Sequence, residues 1–466
     1  MRMVSRLLMT TALLAVCAPV FCRDDVLPIP PSGVIGTQDA MLVPEYWIAK
    51  APMPDQLILT RAQIDAQNAR LFASDPTMYD LRKIGPTLTR AQVLAWITKV
   101  SKLPSKPLMD VKNQLLPKDT IDTIVASIAL NKISASEPTR YGMAVHRVSL
   151  RNFPTNMRAF TVKDQPDFES FQESTIFPGD PVVIAHTSLD GQWYFIVSPR
   201  YAAWVEKSAI GEGSEEQVLS HAEKTPYRVV TGDKVRTVFT PEAPEVSELQ
   251  LDMGTRVPLA NLPPDQPVNG QGPYASWTLE LPTRADDGSL HFQPALLQRQ
   301  VDSAPDYLPL TQANIIRQAF KFLGERYGWG HLYNGRDCSG FVSDVYRSMG
   351  VQMPRNTGDQ ATSPALQHRL FTAKDDHASR MKALADAQVG DLIYIPGHVM
   401  MFLGRVDGEP YVIQDVGGVI FLDSTGHKRW TRTNEVSVTP LMPLLIDEKL
   451  SYVDAMTSLV RIRPSP

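Results

Sequence analysis

Apolar and polar positions follow three successive textures along the chain. Up to about residue 135 the spacing is helical but broken. Residues 61–72, 88–99 and 121–130 each read as a short helix, with Thr60 placed to cap the first. From Tyr141 to Gly213 the chain turns to short extended runs, at 142–146, 181–186 and 193–197. Asp190-Gly191 ahead of Gln192-Trp193-Tyr194 signals a hairpin, and residues 201–205 end this unit. A second unit of short strands is expected from Tyr227 to about Val301, with Asp287-Gly288 between two extended runs. Two β units of this size fit small barrels.

The third texture begins near Pro309. Thr311 can cap a helix carrying Ile316, Ala319, Phe320 and Leu323 at helical spacing, and Gly324 and Gly328 break it. A second helix is predicted to start at or just before Cys338, with Phe341, Val342, Val345, Tyr346 and Met349 on one face and Gly350 as its stop. Beyond a polar loop, residues 391–395 and 398–403 are near-continuous apolar runs of the kind found in buried strands. Asp407-Gly408 then turns the chain into residues 411–414. Helix first and antiparallel sheet after it make this an α+β domain. The fold class expected for the whole chain is α+β multidomain, with an irregular helical N-terminal segment, two small barrels and a C-terminal α+β domain.

Composition narrows the class of function. The length of 466 residues suggests about three domains. The 38 prolines favour small β-rich units with punctuated loops. Lys and Arg total 46 against 50 for Asp and Glu, a balance that argues against nucleic acid or an anionic membrane as partner. No phosphate loop, CxxC pair, HExxH helix or fixed repeat is present, and nothing implies a metal or organic cofactor. Arg2 and Arg6 precede the apolar run 7–16, the layout of a secretory signal and too short to span a bilayer. Residues 14–17 also resemble a lipoprotein signal, with bulky Val16 against it, so a soluble exported protein and a lipid-anchored one both stay open. No later stretch reads as a transmembrane helix.

Of the three cysteines, Cys17 and Cys22 lie in or beside that signal, which leaves Cys338 as the one thiol of the exported chain. An unpaired cysteine in an oxidising compartment points to a working thiol, an intermolecular bridge or a buried structural residue. Asp337-Cys338-Ser339-Gly340 puts this thiol at a helix start, where the N–H groups favour a thiolate and can hold an oxyanion. A nucleophilic cysteine needs an imidazole base on a separate rigid element. His398 opens an apolar strand after Pro396-Gly397 and is the best placed of nine histidines; His331 sits in a glycine-flanked loop. Gln414, on the returning strand, is the candidate to orient the ring, with Asp415 second. Trp329 reads as packing or as the cleft floor, and Arg355 as a carboxylate binder or a structural ion pair.

These residues carry a resemblance. Residues 327–330, 337–341, 353–355, 390–392 and 397–399 together resemble the NlpC-type bacterial cell-wall endopeptidases, over about residues 305–466. The resemblance implies a reduced papain-like fold and cleavage of peptidoglycan stem peptides, usually beside D-glutamate. Upstream, residues 140–300 resemble two bacterial SH3-like barrels, and Tyr46-Trp47-Ile48 with the helix after it resembles the N-terminal stabilising segment of one subgroup. The family's third catalytic residue is most often histidine, where this chain has Gln414. By the same positional match Asp337, Ser339 and Thr357 would line a pocket for the free amine of the stem peptide, Thr357 standing where serine is expected. The implied boundaries are 1–22 for the signal, 23–137 for the stabilising segment, 138–215 and 216–304 for the barrels, and 305–466 for the peptidase domain. The expected function is a periplasmic cysteine endopeptidase that prefers short, trimmed stem peptides. Its alternatives are a non-catalytic wall-binding protein and a transferase or amidase using the same thioester.

Overall fold

The computed structural model describes residues 33–463 except 35, 423, 424 and 448, so the expected signal, with Cys17 and Cys22, lies outside the described residues. The N-terminal segment does not form a core of its own. Its helices Arg61–Ser74 and Arg90–Val100 start at Thr60 and Thr89, and each threonine forms a reciprocal capping box with the glutamine three residues on. Their apolar faces go to two different destinations. Met41, Trp47, Leu59 and Ile64 enter the core of the C-terminal domain, whereas Leu81, Leu88, Val93, Ile97, Ile124 and Ile133 pack on the first β unit. Trp47 is fully buried, with its indole N–H donating to the Met41 carbonyl and its ring against Tyr411. The segment thus straps two domains together.

The first β unit is one antiparallel sheet of seven strands, from Arg140–Ala144 to Ile210–Gly213. All five residues of Trp193–Val197 are buried, because one face of this sheet fills the unit's own interior and the other meets the N-terminal helices. That double burial explains a run without alternation. The second unit holds three small antiparallel sheets, of which the longest pair, Ser276–Arg284 with Leu290–Gln298, turns at Asp287-Gly288.

The C-terminal domain sets the helices Gln312–Phe320 and Cys338–Arg347 against a six-stranded antiparallel sheet. Leu392–Ile395, His398–Val406, Glu409–Val416 and Glu435–Pro440 are consecutive neighbours in it. Asp407 and Gly408 both take positive φ, 52° and 87°, the conformation of a tight two-residue hairpin. The chain is therefore a multidomain protein of mixed helix and sheet.

One expectation about the Cys338 helix fails. The spacing gives it a single apolar face, yet all ten of its residues are buried. Its polar side is covered by the second β unit and tied to it by charge. Arg336, with no exposed surface, meets Asp344 at 2.8 Å, Glu325 at 3.0 Å and Asp252 of the second unit at 3.1 Å. Arg147 of the first unit joins Asp252 at 3.4 Å and also donates to the His331 and Gly335 carbonyls. A sequence period reports which face is apolar, and it does not report a polar face buried under another domain.

Candidate active site

Asp337 is the N-cap of the helix that begins with Cys338. Its Oδ1 accepts the Gly340 N–H at 2.8 Å and the Ser339 hydroxyl at 3.2 Å, while Oδ2 accepts the Gly330 N–H at 3.0 Å and Arg355 at 2.8 Å. The turn is so close to its neighbours that a Cβ on Gly340 would lie 2.4 Å from the His331 ring, which only glycine avoids. Cys338 is 5% exposed, with its sulfur 3.7 Å from the Thr357 hydroxyl and the Val399 N–H directed at it. Val399 is the residue after His398, so the thiol at the head of the helix meets the start of the histidine strand.

His398 is the first residue of its strand. Its Nε2 lies 2.7 Å from Gln414 Oε1, and Gln414 Nε2 donates to the Thr439 hydroxyl at 2.8 Å. With its amide oxygen toward the ring, Gln414 is an acceptor for a proton on His398 Nε2. That tautomer leaves the lone pair on Nδ1. Tyr452 packs edge-on against the ring, with centroids 6.4 Å apart.

The electrostatics differ from the thiolate expected at a helix start. Burial pushes the Cys338 thiol up to about 12, with the Asp337 carboxylate adding to the effect and the Thr357 hydroxyl and Val399 N–H opposing it. Burial pulls His398 down to about 4, against the bond from Gln414, a neutral group that offers an imidazolium no countercharge. With these shifts the thiol and the imidazole are both neutral at pH 7.

Three sequence expectations need correction. Asp415 is not beside the histidine: neighbouring strand residues face opposite ways, and Gln414 takes the His398 side. Asp415 is fully buried, with no hydrogen-bond partner for either oxygen among the described residues. Burial and the nearby Glu325 and Asp337 hold its carboxyl well above the usual range. Arg355 is an ion pair rather than a free carboxylate binder: it is 5% exposed and bonds Asp337, Ser339, His331 and Ser174. That same network fills every acceptor direction of the Asp337 carboxylate and occupies the Ser339 hydroxyl, so neither faces the cleft as expected. Thr357, half-buried beside the sulfur, does line it. Trp329 is 39% exposed and donates its indole N–H to the Gln172 carbonyl of the first β unit.

The structure also brings in residues that sequence reasoning missed. Glu173 of the first β unit accepts the Tyr201 hydroxyl at 2.5 Å and sits close enough to Arg355 to feel its charge. Burial raises this carboxyl. No periodicity or motif near Cys338 points to a residue folded in from another domain.

Comparison with known proteins agrees with this architecture. Residues 324–437 match the NlpC/P60 family, and residues 158–206 match the SH3 domain of SH3b1 type. The chain carries an NlpC/P60 domain at its C-terminal end and an SH3b domain before it. Among curated proteins it is 33% identical over 98 residues to a gamma-D-glutamyl-L-lysine dipeptidyl-peptidase of Bacillus subtilis (strain 168), covering 21% of this chain and 28% of that protein. It is 34% identical over 111 residues to a probable endopeptidase p60 of Listeria seeligeri, covering 22% of this chain and 18% of that one. The matched segment is thus under a third of either relative. Among solved structures, an NlpC/P60 endopeptidase from Photobacterium damselae subsp. piscicida superposes with a TM-score of 0.69 at 16% identity, over 88% of this chain and 95% of that one. At that identity the likeness is one of fold, and it extends over all the domains.

Proposed function

We propose that this protein is a cysteine endopeptidase that hydrolyses peptidoglycan stem peptides next to D-glutamate, in the periplasm where that substrate lies. The observation that carries the reading is the meeting of the Cys338 thiol, at a helix start, with the Val399 N–H at the start of the His398 strand, the histidine ring being held by Gln414 and Gln414 by Thr439. As Cys338 Sγ attacks the scissile carbonyl carbon, its proton passes to His398 Nδ1. The N–H at the head of the Cys338 helix is available to the developing oxyanion. His398 then gives the proton to the leaving amine, which departs and leaves a thioester. Water, deprotonated by the same imidazole, attacks the thioester, releases the carboxylic acid and restores the thiol. Glu173, which accepts the Tyr201 hydroxyl and lies near Arg355, offers a carboxyl group from the first β unit to an amine cation, which supports a preference for short, already trimmed peptides.

The test is mass spectrometry of L-Ala-γ-D-Glu-diaminopimelate incubated with wild type and with Cys338→Ala. A fragment made by wild type alone supports the peptidase and names the bond. No fragment from this peptide, longer stem peptides or sacculi would instead favour a wall-binding protein.

A further inference from the structure

Beyond the nucleophile, three aromatic rings lead outward from Cys338. Tyr327 is buried near the thiol, Phe168 of the first β unit lies 5.8 Å from it, and Trp329 lies 5.6 Å from Phe168, between ring centroids. Phe168, Trp329 and the nearby Tyr333 are 44%, 39% and 40% exposed, a cluster of accessible aromatic surface at one end of the cleft. Three guanidinium groups surround it. Arg326 and Arg432 of the C-terminal domain clamp the two oxygens of Asp167 at 2.5 and 2.7 Å, and Asp167 is one residue from Phe168. Arg158 of the first unit bonds the Tyr333 hydroxyl, and Arg158 and Arg326 sit 5.2 and 5.3 Å from the Tyr333 ring centroid.

The charges do not cancel. Three cations face one carboxylate, and that carboxylate is 9% exposed while the Arg326 and Arg432 side chains are 52% and 50% exposed. Each of those two arginines commits one terminal nitrogen to Asp167. Of the other acidic groups nearby, Asp164 bonds Asn113 of the N-terminal segment, Glu325 is paired with Arg336 and Lys234, and Glu435 lies across a backbone bridge from Arg326. The loop that presents Trp329 and Tyr333 is also held in an unfavourable shape, with His331, Tyr333 and Asn334 all at positive φ. A guanidinium with donors left over beside an aromatic ring can offer a planar carboxylate two parallel N–H bonds.

We propose that this rim, built by Arg158, Arg326 and Arg432 around Phe168, Trp329 and Tyr333, is a carboxylate-binding subsite for the acidic part of the substrate. The inference rests on the stem-peptide reading, and it adds the residues that would read the substrate's charge. Two carboxylate sources exist in such a peptide, the α-carboxylate of D-glutamate and the carboxylates of the diaminopimelate residue. Both present the same chemistry to the arginines.

The experiment measures binding by calorimetry to the full-length Cys338→Ala protein, which takes turnover out of the readout. The probes are L-Ala-γ-D-Glu-diaminopimelate, the same peptide amidated at the D-glutamate α-carboxyl, and the same peptide amidated at diaminopimelate. Amidating the recognised carboxyl should weaken binding about tenfold, as expected for one charge-assisted contact, and which amide does so names the source. In Arg326→Gln/Arg432→Gln the free peptide should weaken by a similar factor and the gap between free and amidated peptides should close. Equal binding of all three peptides to the unmutated rim overturns the proposal, whatever the double variant does. So does an arginine variant that weakens all three alike, or a failure of every peptide to bind. Discrimination without cleavage by the Cys338 protein would leave the subsite standing and remove the peptidase reading.

Discussion

Replacing Gln414 with alanine separates orientation of the base from its presence. Gln414 has no exposed surface, and its two amide atoms are held by His398 at 2.7 Å and Thr439 at 2.8 Å. Without it the imidazole N–H loses its acceptor in a buried place, at a cost of about 1–3 kcal/mol. If that cost falls on the productive tautomer and rotamer, kcat drops by roughly 5- to 150-fold. The bond from Gln414 also opposes the burial that holds His398 near 4, so its loss should move the imidazole further down. The acid limb of the kcat/KM profile, where His398 takes a proton, must then shift to lower pH. The assay is peptide hydrolysis from pH 3.5 to 8, alongside the rate of Cys338 alkylation by iodoacetamide. Gln414→Glu should send the limb the other way, because a carboxylate favours the imidazolium. A Gln414→Ala enzyme with kcat within twofold of wild type, or with its acid limb moved up, refutes the reasoning.

Asp415→Asn is expected to stabilise the fold at neutral pH. The folded carboxyl is raised and stays protonated, whereas the unfolded one ionises above the usual carboxylate range, so wild type loses stability as pH rises through that window. The asparagine protein does not titrate there, and its advantage in urea unfolding should grow with pH by up to about 1.4 kcal/mol per unit; a constant difference from pH 5 to 7 argues against a neutral Asp415. Arg336→Met leaves Asp252, Asp344 and Glu325 buried together, and should lower unfolding free energy by about 3–5 kcal/mol. A Tm unchanged from wild type would mean that water or a repacked neighbour meets those carboxylates.

The pattern along the chain was most informative where one domain decides its own structure. Thr60, Thr311 and Asp337 all cap the helices that follow them, and Asp407-Gly408 makes the turn that its residue types require. Gln414 was legible because its strand, its turn and His398 are contiguous. What stayed hidden depends on contacts between domains. The total burial of the Cys338 helix comes from Asp252 and Met253 of the second unit, and Glu173 and Phe168 reach the cleft from the first. Arg355 and Asp415 show the remaining gap: each is polar in sequence, and whether a polar residue faces a cleft or a buried partner is fixed by three-dimensional packing alone.

The N-terminal strap has a consequence for the order in which the molecule comes into being. The Thr37 hydroxyl bonds the Val438 carbonyl across 401 positions, and Tyr411 bonds the Gly36 carbonyl across 375. Contacts of such sequence separation form late, because the ends of a very long loop must meet before they gain anything. Until residue 438 has been made, the slot that Trp47 fills has only one wall. A growing chain therefore holds a cysteine without the histidine strand and a strap without its anchor, and the cleft closes only when synthesis has passed both. On the peptidase reading proposed above, that sequence of events delays the assembly of the cleft around Cys338 until synthesis is past residue 438.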